Sequence, residues 1–333
     1  MSSKSNQILG EEFSGVNQIL PHKNKWAWDL YKKGKNNNWV PEEVSMTRDI
    51  QNWKNDDTIS ADERLLINRC LGFFAGSESL VGNNLFTIFR HVTDPECRQY
   101  LARQMYEECL HNDTIVYICD SLDLDINEVY QAYETIPSIK AKDDFLIKVS
   151  SDLTKCDTST PEGLRNVIKG IFLYYIVCEG TFFFSGFAML LAMSDKIPGI
   201  AEQIQYTLRD ESLHIQFGTN LLINIKSQHP DIWDDEFEDE LTGYLIEAVN
   251  LEIQYAKDAL PRGILGLNAD MFVNYMQYIA NRRLAGLKFR YSFPNATNPF
   301  PWLSETIDLS KQKNFFETKV TEYQNAGALD DDF

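Results

Sequence analysis

The sequence predicts an all-α protein whose core is a four-helix bundle holding a dinuclear metal site. Three observations carry that expectation. The pattern Glu-x-x-His occurs twice, as Glu108-Cys109-Leu110-His111 and Glu211-Ser212-Leu213-His214. Each copy is preceded, some thirty residues upstream, by a lone glutamate in an apolar run, Glu78 and Glu179. No stretch shows the sustained alternation of a half-buried strand. Two such units supply four carboxylates and two imidazoles, the donor set of carboxylate-bridged dinuclear centres in four-helix bundles.

Helix geometry fits the spacing. Positions i and i+3 share a face, so Glu108 and His111 can reach one metal, as can Glu211 and His214. If Glu78 and Glu108 stand at equal depth on antiparallel helices, the turn falls near residue 93. Thr93-Asp94-Pro95-Glu96 there reads as a helix stop and a capped start with proline in the first turn. Midway between Glu179 and Glu211 lies Ser194-Asp195-Lys196-Ile197-Pro198-Gly199, again a turn. Each arm is then roughly 22 Å long at ~1.5 Å per residue. Helices are expected over residues 62–92, 96–122, 126–135, 139–152, 162–193, 197–227, 235–260 and 270–286.

A single Glu-x-x-His usually marks a solvated helix pair. The doubling, the matched turns and the apolar surroundings of Glu78 and Glu179 favour metal, because an unpaired buried carboxylate costs several kcal/mol. Only five histidines are present; His91 reads as a helix-end cation, and His22 and His229 adjoin prolines in loop-like segments. Residues 171–193 are long and apolar enough to span a bilayer. Glu179 within them, and a turn leading straight into a polar helix, favour a central core helix. The net charge of −18 with no basic run argues against nucleic acid as a partner. The N-terminus shows no secretory signal, and six scattered cysteines suit reduced thiols in a cytoplasm.

The chain resembles the small, radical-generating subunit of class I ribonucleotide reductase. The resemblance runs through Asn37-Asn38-Trp39-Val40-Pro41, Phe73-Phe74-Ala75 and Tyr106-Glu107-Glu108-Cys109-Leu110-His111. It continues through Leu208-Arg209-Asp210-Glu211-Ser212-Leu213-His214 to Asn298-Pro299-Phe300-Pro301-Trp302 and a tail closing in Asp330-Asp331-Asp332-Phe333. It implies a ferritin-like domain over residues 1–310 and a flexible tail over 311–333. It also implies a cytoplasmic homodimer with no membrane span, and a large partner subunit that carries out ribonucleotide reduction and receives the tail. The implied metal ligands are Glu78, Glu108, His111, Glu179, Glu211 and His214. Asp210 resembles the carboxylate that holds a ligand imidazole, and Trp39 the tryptophan of the transfer path, giving a route Trp39–Asp210–His111. Tyr323 resembles the tail tyrosine that passes the radical on, and Asp330 to Phe333 the docking peptide.

Two departures from the commonest family pattern bear on the cofactor. The first ligand is Glu78 where aspartate is usual. Four residues past His111, where a radical tyrosine normally stands, is Ile115; Tyr117 lies about 200° further round a helix. The combination resembles the tyrosine-independent class Ic branch, which implies a manganese/iron pair, activated by oxygen, that itself keeps the oxidising equivalent. Dimanganese and di-iron centres are the alternatives. Tyr206, five residues before Glu211, resembles an electron relay used in cofactor assembly, or is a packed helix tyrosine. Another oxygen-activating oxidase or hydroxylase of this fold, or a ferroxidase, remains an alternative function; neither accounts for the Tyr323 tail.

Overall fold

The computed structural model describes residues 7–10, 16–150, 153 and 156–303. The tail expectations at residues 311–333, Tyr323 and Asp330 to Phe333 among them, lie outside the described residues. Twelve α-helices are described: α1 (Lys25–Asn36), α2 (Thr47–Trp53), α3 (Ala61–His91), α4 (Pro95–Leu122), α5 (Ile126–Tyr130), α6 (Ala132–Thr135), α7 (Pro137–Ser150), α8 (Pro161–Phe172), α9 (Phe183–Leu191), α10 (Pro198–Gln228), α11 (Asp235–Ala259) and α12 (Ala269–Leu287). A π-helical segment, Leu173–Phe182, joins α8 to α9 without a break. Among the described residues the only β pairings are two isolated bridges, Leu9 with Val92 and Ile264 with Leu267. The all-α expectation holds.

Local chemistry sets the helix ends. Ser60 and Glu63 form a reciprocal capping box at the start of α3, satisfying two backbone donors that the first turn leaves open. Asp94 accepts from Cys97 N at 2.9 Å and Pro95 opens α4, so the first hairpin turns where its ligand spacing requires. The second turn lies between Leu191 and Pro198. Its return helix α10 is capped from a distance: the Asp49 carboxylate on α2 accepts from Gly199 N at 2.8 Å and Ile200 N at 2.9 Å. A carboxylate at a helix N-terminus satisfies orphan N–H groups and complements the helix dipole.

Helices α1 and α2 were not expected. The first is lysine-rich and carries Gly34, so propensity argues weakly for it; it exists because Ala27, Leu30 and Gly34 pack inward, in contact with α4. A Cβ at Gly34 would stand 3.1 Å from Glu107 Oε1, so glycine permits that close approach. The second helix buries only Asp49, its cap for α10. The apolar run Pro161–Leu191 meets the length and hydropathy of a membrane span, but 94% of its most apolar window is buried inside the protein. It is the core helix around which α3, α10, α11 and α12 pack.

Candidate metal centre

The six expected donors converge. Glu78 comes from α3, Glu108 and His111 from α4, Glu179 from the π-helical segment, and Glu211 and His214 from α10. All six are buried, none more than 1% exposed. One group of donor atoms comprises Glu78, Glu108, His111 and Glu211; a second comprises Glu108, Glu179 and His214, each within 4.8 Å of one another. The imidazole centroids lie 6.0 Å apart.

Glu108 and Glu211 each face both groups. Glu108 presents Oε2 to His111 Nδ1 at 3.6 Å and Oε1 to His214 Nδ1 at 3.3 Å. Glu211 presents Oε1 to His111 Nδ1 at 3.2 Å and Oε2 to His214 Nδ1 at 3.3 Å. Two carboxylates that reach both positions, with Glu78 and Glu179 each at one, would suit a metal pair held by four carboxylates and two imidazoles.

The electrostatics call for cations. Glu78 Oε2, Glu108 Oε2, Glu179 Oε2, Glu211 Oε1 and His111 Nδ1 are buried with no hydrogen-bond partner. Burial pushes the Glu78 carboxyl up to about 8 against the pull of His111, and pushes Glu179 well above its ordinary range, with Glu211 adding to it. For Glu211 burial acts the same way, but His214 and His111 outweigh it and hold the group down at about 2. Burial alone would lower both imidazoles; the surrounding carboxylates reverse that and raise them well above 6.5. Protons thus concentrate where the carboxylates crowd, and divalent metals could replace them. The donors fit hard divalent ions that accept oxygen and imidazole ligands.

Behind each imidazole stands the acid that precedes the other unit's ligand, hydrogen-bonded to His214 but not to His111. Asp210 Oδ2 lies 3.6 Å from His111 Nε2, and Glu107 Oε2 lies 2.8 Å from His214 Nε2. Such partners fix the tautomer and aim the ring. Asp210 was expected; Glu107 was missed, though it precedes Glu108 as Asp210 precedes Glu211. Asp210 Oδ2 also accepts from Trp39 Nε1 at 2.8 Å, so Trp39, Asp210 and His111 form a contiguous line. Tyr206 packs on Trp39 at a centroid distance of 5.2 Å and donates to Glu202 Oε1 at 2.9 Å. Arg209 bonds the Asn37 carbonyl, tying the Trp39 segment to α10. Ile115 is buried in the core, and Tyr117 donates to the Val44 carbonyl at 3.1 Å.

Sequence reasoning also missed Gln104 and Tyr175. The Gln104 amide donates to Glu179 at 2.9 Å and to Glu108 at 3.2 Å, and accepts from the Tyr175 hydroxyl at 2.8 Å. The spacing held a weak signal, since Gln104 stands one turn before Glu108 on the inward face. The π-helical turn was missed as well. There Thr181 Oγ1 donates to the Ile176 carbonyl five residues back, and Arg283 Nε donates to the Gly180 carbonyl. Single π turns often mark functional sites, because they re-aim a side chain without ending the helix.

Four helical arms around buried carboxylates and imidazoles define a ferritin-like, dimetal-type bundle protein. The family model for the ribonucleotide reductase small chain matches residues 16–299. The chain is 52% identical over 321 residues to the ribonucleoside-diphosphate reductase subunit beta of Chlamydia pneumoniae, covering 94% of this chain and 92% of that one. It is 31% identical to the small chain of Schizosaccharomyces pombe, covering 93% and 75%. Among solved structures it resembles the ribonucleotide reductase R2 subunit from Clostridium botulinum, with a TM-score of 0.82, 25% identity, and 91% and 96% coverage. The chain belongs to the ribonucleotide reductase small-chain family, as the small subunit of a ribonucleoside-diphosphate reductase.

Proposed function

We propose that this subunit holds a dinuclear metal centre through Glu78, Glu108, His111, Glu179, Glu211 and His214, and that the centre is a manganese/iron pair. Dimanganese and di-iron centres are the alternatives. When bound and exposed to oxygen, such a pair supplies the one-electron oxidant that starts ribonucleotide reduction in the large subunit. The observation that carries the metal-based reading is Ile115, a side chain with no redox chemistry, buried on α4 one turn beyond His111 while all six donors remain.

The other residues serve transfer. Asp210, which accepts from the Trp39 indole and stands 3.6 Å from His111 Nε2, is proposed to carry the electron path from Trp39 inward. Tyr206, packed at a tilt against Trp39, is proposed as a donor during cofactor assembly. Tyr323 and the acidic end Asp330 to Phe333 are proposed to dock on the large subunit and carry the radical across. Residues 1–310 are proposed to form the ferritin-like small-subunit domain of a cytoplasmic homodimer serving deoxyribonucleotide synthesis and hence DNA replication, and residues 311–333 the tail. No nucleic-acid or membrane contact is required.

Metal quantification with electron paramagnetic resonance, after loading Mn and Fe under oxygen, tests the centre. A coupled Mn/Fe signal and activity dependent on both metals are expected. A tyrosyl signal, or full activity with iron alone, sinks the manganese/iron assignment; Tyr100 and Tyr174, buried near the carboxylates with unpartnered hydroxyls, make that a real trial. Removing the last fifteen or so residues should abolish reductase activity with the cognate large subunit while metal content stays unchanged. Activity that survives truncation ends the tail proposal.

A further inference from the structure

The carboxylates at the two metal positions are braced unequally. Gln104 is fully buried on α4, one turn before Glu108. Its Nε2 donates to Glu179 Oε1 at 2.9 Å and to Glu108 Oε1 at 3.2 Å, and Glu108 Oε1 is the oxygen that faces His214. Glu78 Oε2 and Glu179 Oε2 both lack a hydrogen-bond partner, but among the described residues no side-chain amide bonds Glu78 as Gln104 bonds Glu179. Metal-bound carboxylates only accept, so the amide nitrogen must point to them and its oxygen away. That oxygen meets Tyr175 Oη at 2.8 Å, and the phenol must therefore be the donor. Burial, with Glu179 and Glu108 adding, raises the Tyr175 hydroxyl well above its ordinary value, so it keeps its proton.

The fold makes room for this ring. A Cβ on Gly218, four residues past His214, would stand 2.1 Å from Tyr175 Cγ, so only glycine leaves the space the ring fills. Phe217 closes the other side at a centroid distance of 5.9 Å. Tyr175 also lies in the same π-helical segment as Glu179, so it and the carboxylate it acts upon share one backbone.

We propose that Tyr175 is a positioning residue. By locking the Gln104 amide it braces Glu179 and the His214-facing oxygen of Glu108, and so strengthens the Glu108–Glu179–His214 position more than its neighbour. The inference rests on the dinuclear reading above. Partners of ligating carboxylates are typically worth ten- to a hundredfold in metal affinity.

Metal-stripped protein titrated with Mn(II), with free Mn(II) read by paramagnetic resonance and occupancy at each position read by anomalous diffraction, tests it. In Tyr175→Phe, affinity at the Glu179 position should fall about tenfold, with a clearly smaller change at the Glu78 position. Gln104→Leu removes the brace without touching the phenol, and should give the same unequal loss, at least as large. Equal loss at both positions, or no loss at the Glu179 position in either variant, overturns the inference while the dinuclear reading stands. Wild-type protein that takes up neither Mn(II) nor, in a parallel anaerobic titration, Fe(II) overturns both.

Discussion

At the scale of single residues, the second acid of each unit does as much as the ligand beside it. Glu107 is fully buried and accepts from Arg103 Nε at 2.8 Å while holding His214 Nε2 at 2.8 Å. Asp210 stands behind His111 at 3.6 Å from Nε2 and accepts from Trp39. Replacing either acid by its amide keeps the volume but exchanges one accepting oxygen for a donor. Glu107→Gln and Asp210→Asn should each weaken metal binding by about ten- to a hundredfold, measured by titration of the metal-free protein. Undiminished affinity in both would show that the imidazoles are aimed by packing alone. Asp210→Asn should also slow reductase turnover after full metal loading, because the Trp39 line passes through it, and Glu107→Gln should not.

At the scale of elements, the π-helical segment and α10 are fitted to each other through Gly218 and Tyr175. Gly218→Ala places a methyl where the Tyr175 ring lies, and the ring is fully buried with no path to solvent. Overpacking of this kind costs about 1–3 kcal/mol; a lowered denaturation midpoint with an unchanged denaturant slope is expected, and an unchanged midpoint would show that the segment yields freely. Much of this architecture was legible beforehand. Glu78, Glu108, His111, Glu179, Glu211 and His214 could be read because dinuclear chemistry dictates both residue type and helical spacing, and Asp94-Pro95 and Pro198-Gly199 because turns have their own chemistry. The π turn was not legible, since Leu173 to Phe182 has the composition of any core helix and the extra residue per turn leaves no mark in the pattern. Gln104 and Tyr175 were hidden for a related reason: amides and phenols on inward faces are common, and only the three-dimensional meeting of α4, α10 and the π-helical segment gives these two a task. Helices α1 and α2 owe their existence to contacts with α4 and α10 rather than to propensity.

At the scale of the whole molecule, the buried cluster links stability to pH and to metal. Glu78, Glu179, His111 and His214 all have raised affinity for protons in the folded state. For these four groups the native protein binds more protons than the unfolded chain, so their contribution to stability is greatest at low pH and is lost as pH rises through the folded values. Glu211 runs the other way: its folded value of about 2 lies below the ordinary 4.5, so its contribution is present above that and lost only in acid. Between pH 5 and pH 8 the four raised groups therefore dominate the cluster's share, with Glu78 losing its proton near 8. The cluster should then make metal-free protein less stable at pH 8 than at pH 6. Divalent metals reverse the sign, because they take the place of those protons and bind more tightly as the protons leave. Thermal melts of metal-free and Mn/Fe-loaded protein at the two pH values should show a larger metal-induced rise at pH 8. A rise that is equal or smaller at pH 8 would mean that metals do not displace protons from these carboxylates and imidazoles, and that their burial serves packing instead.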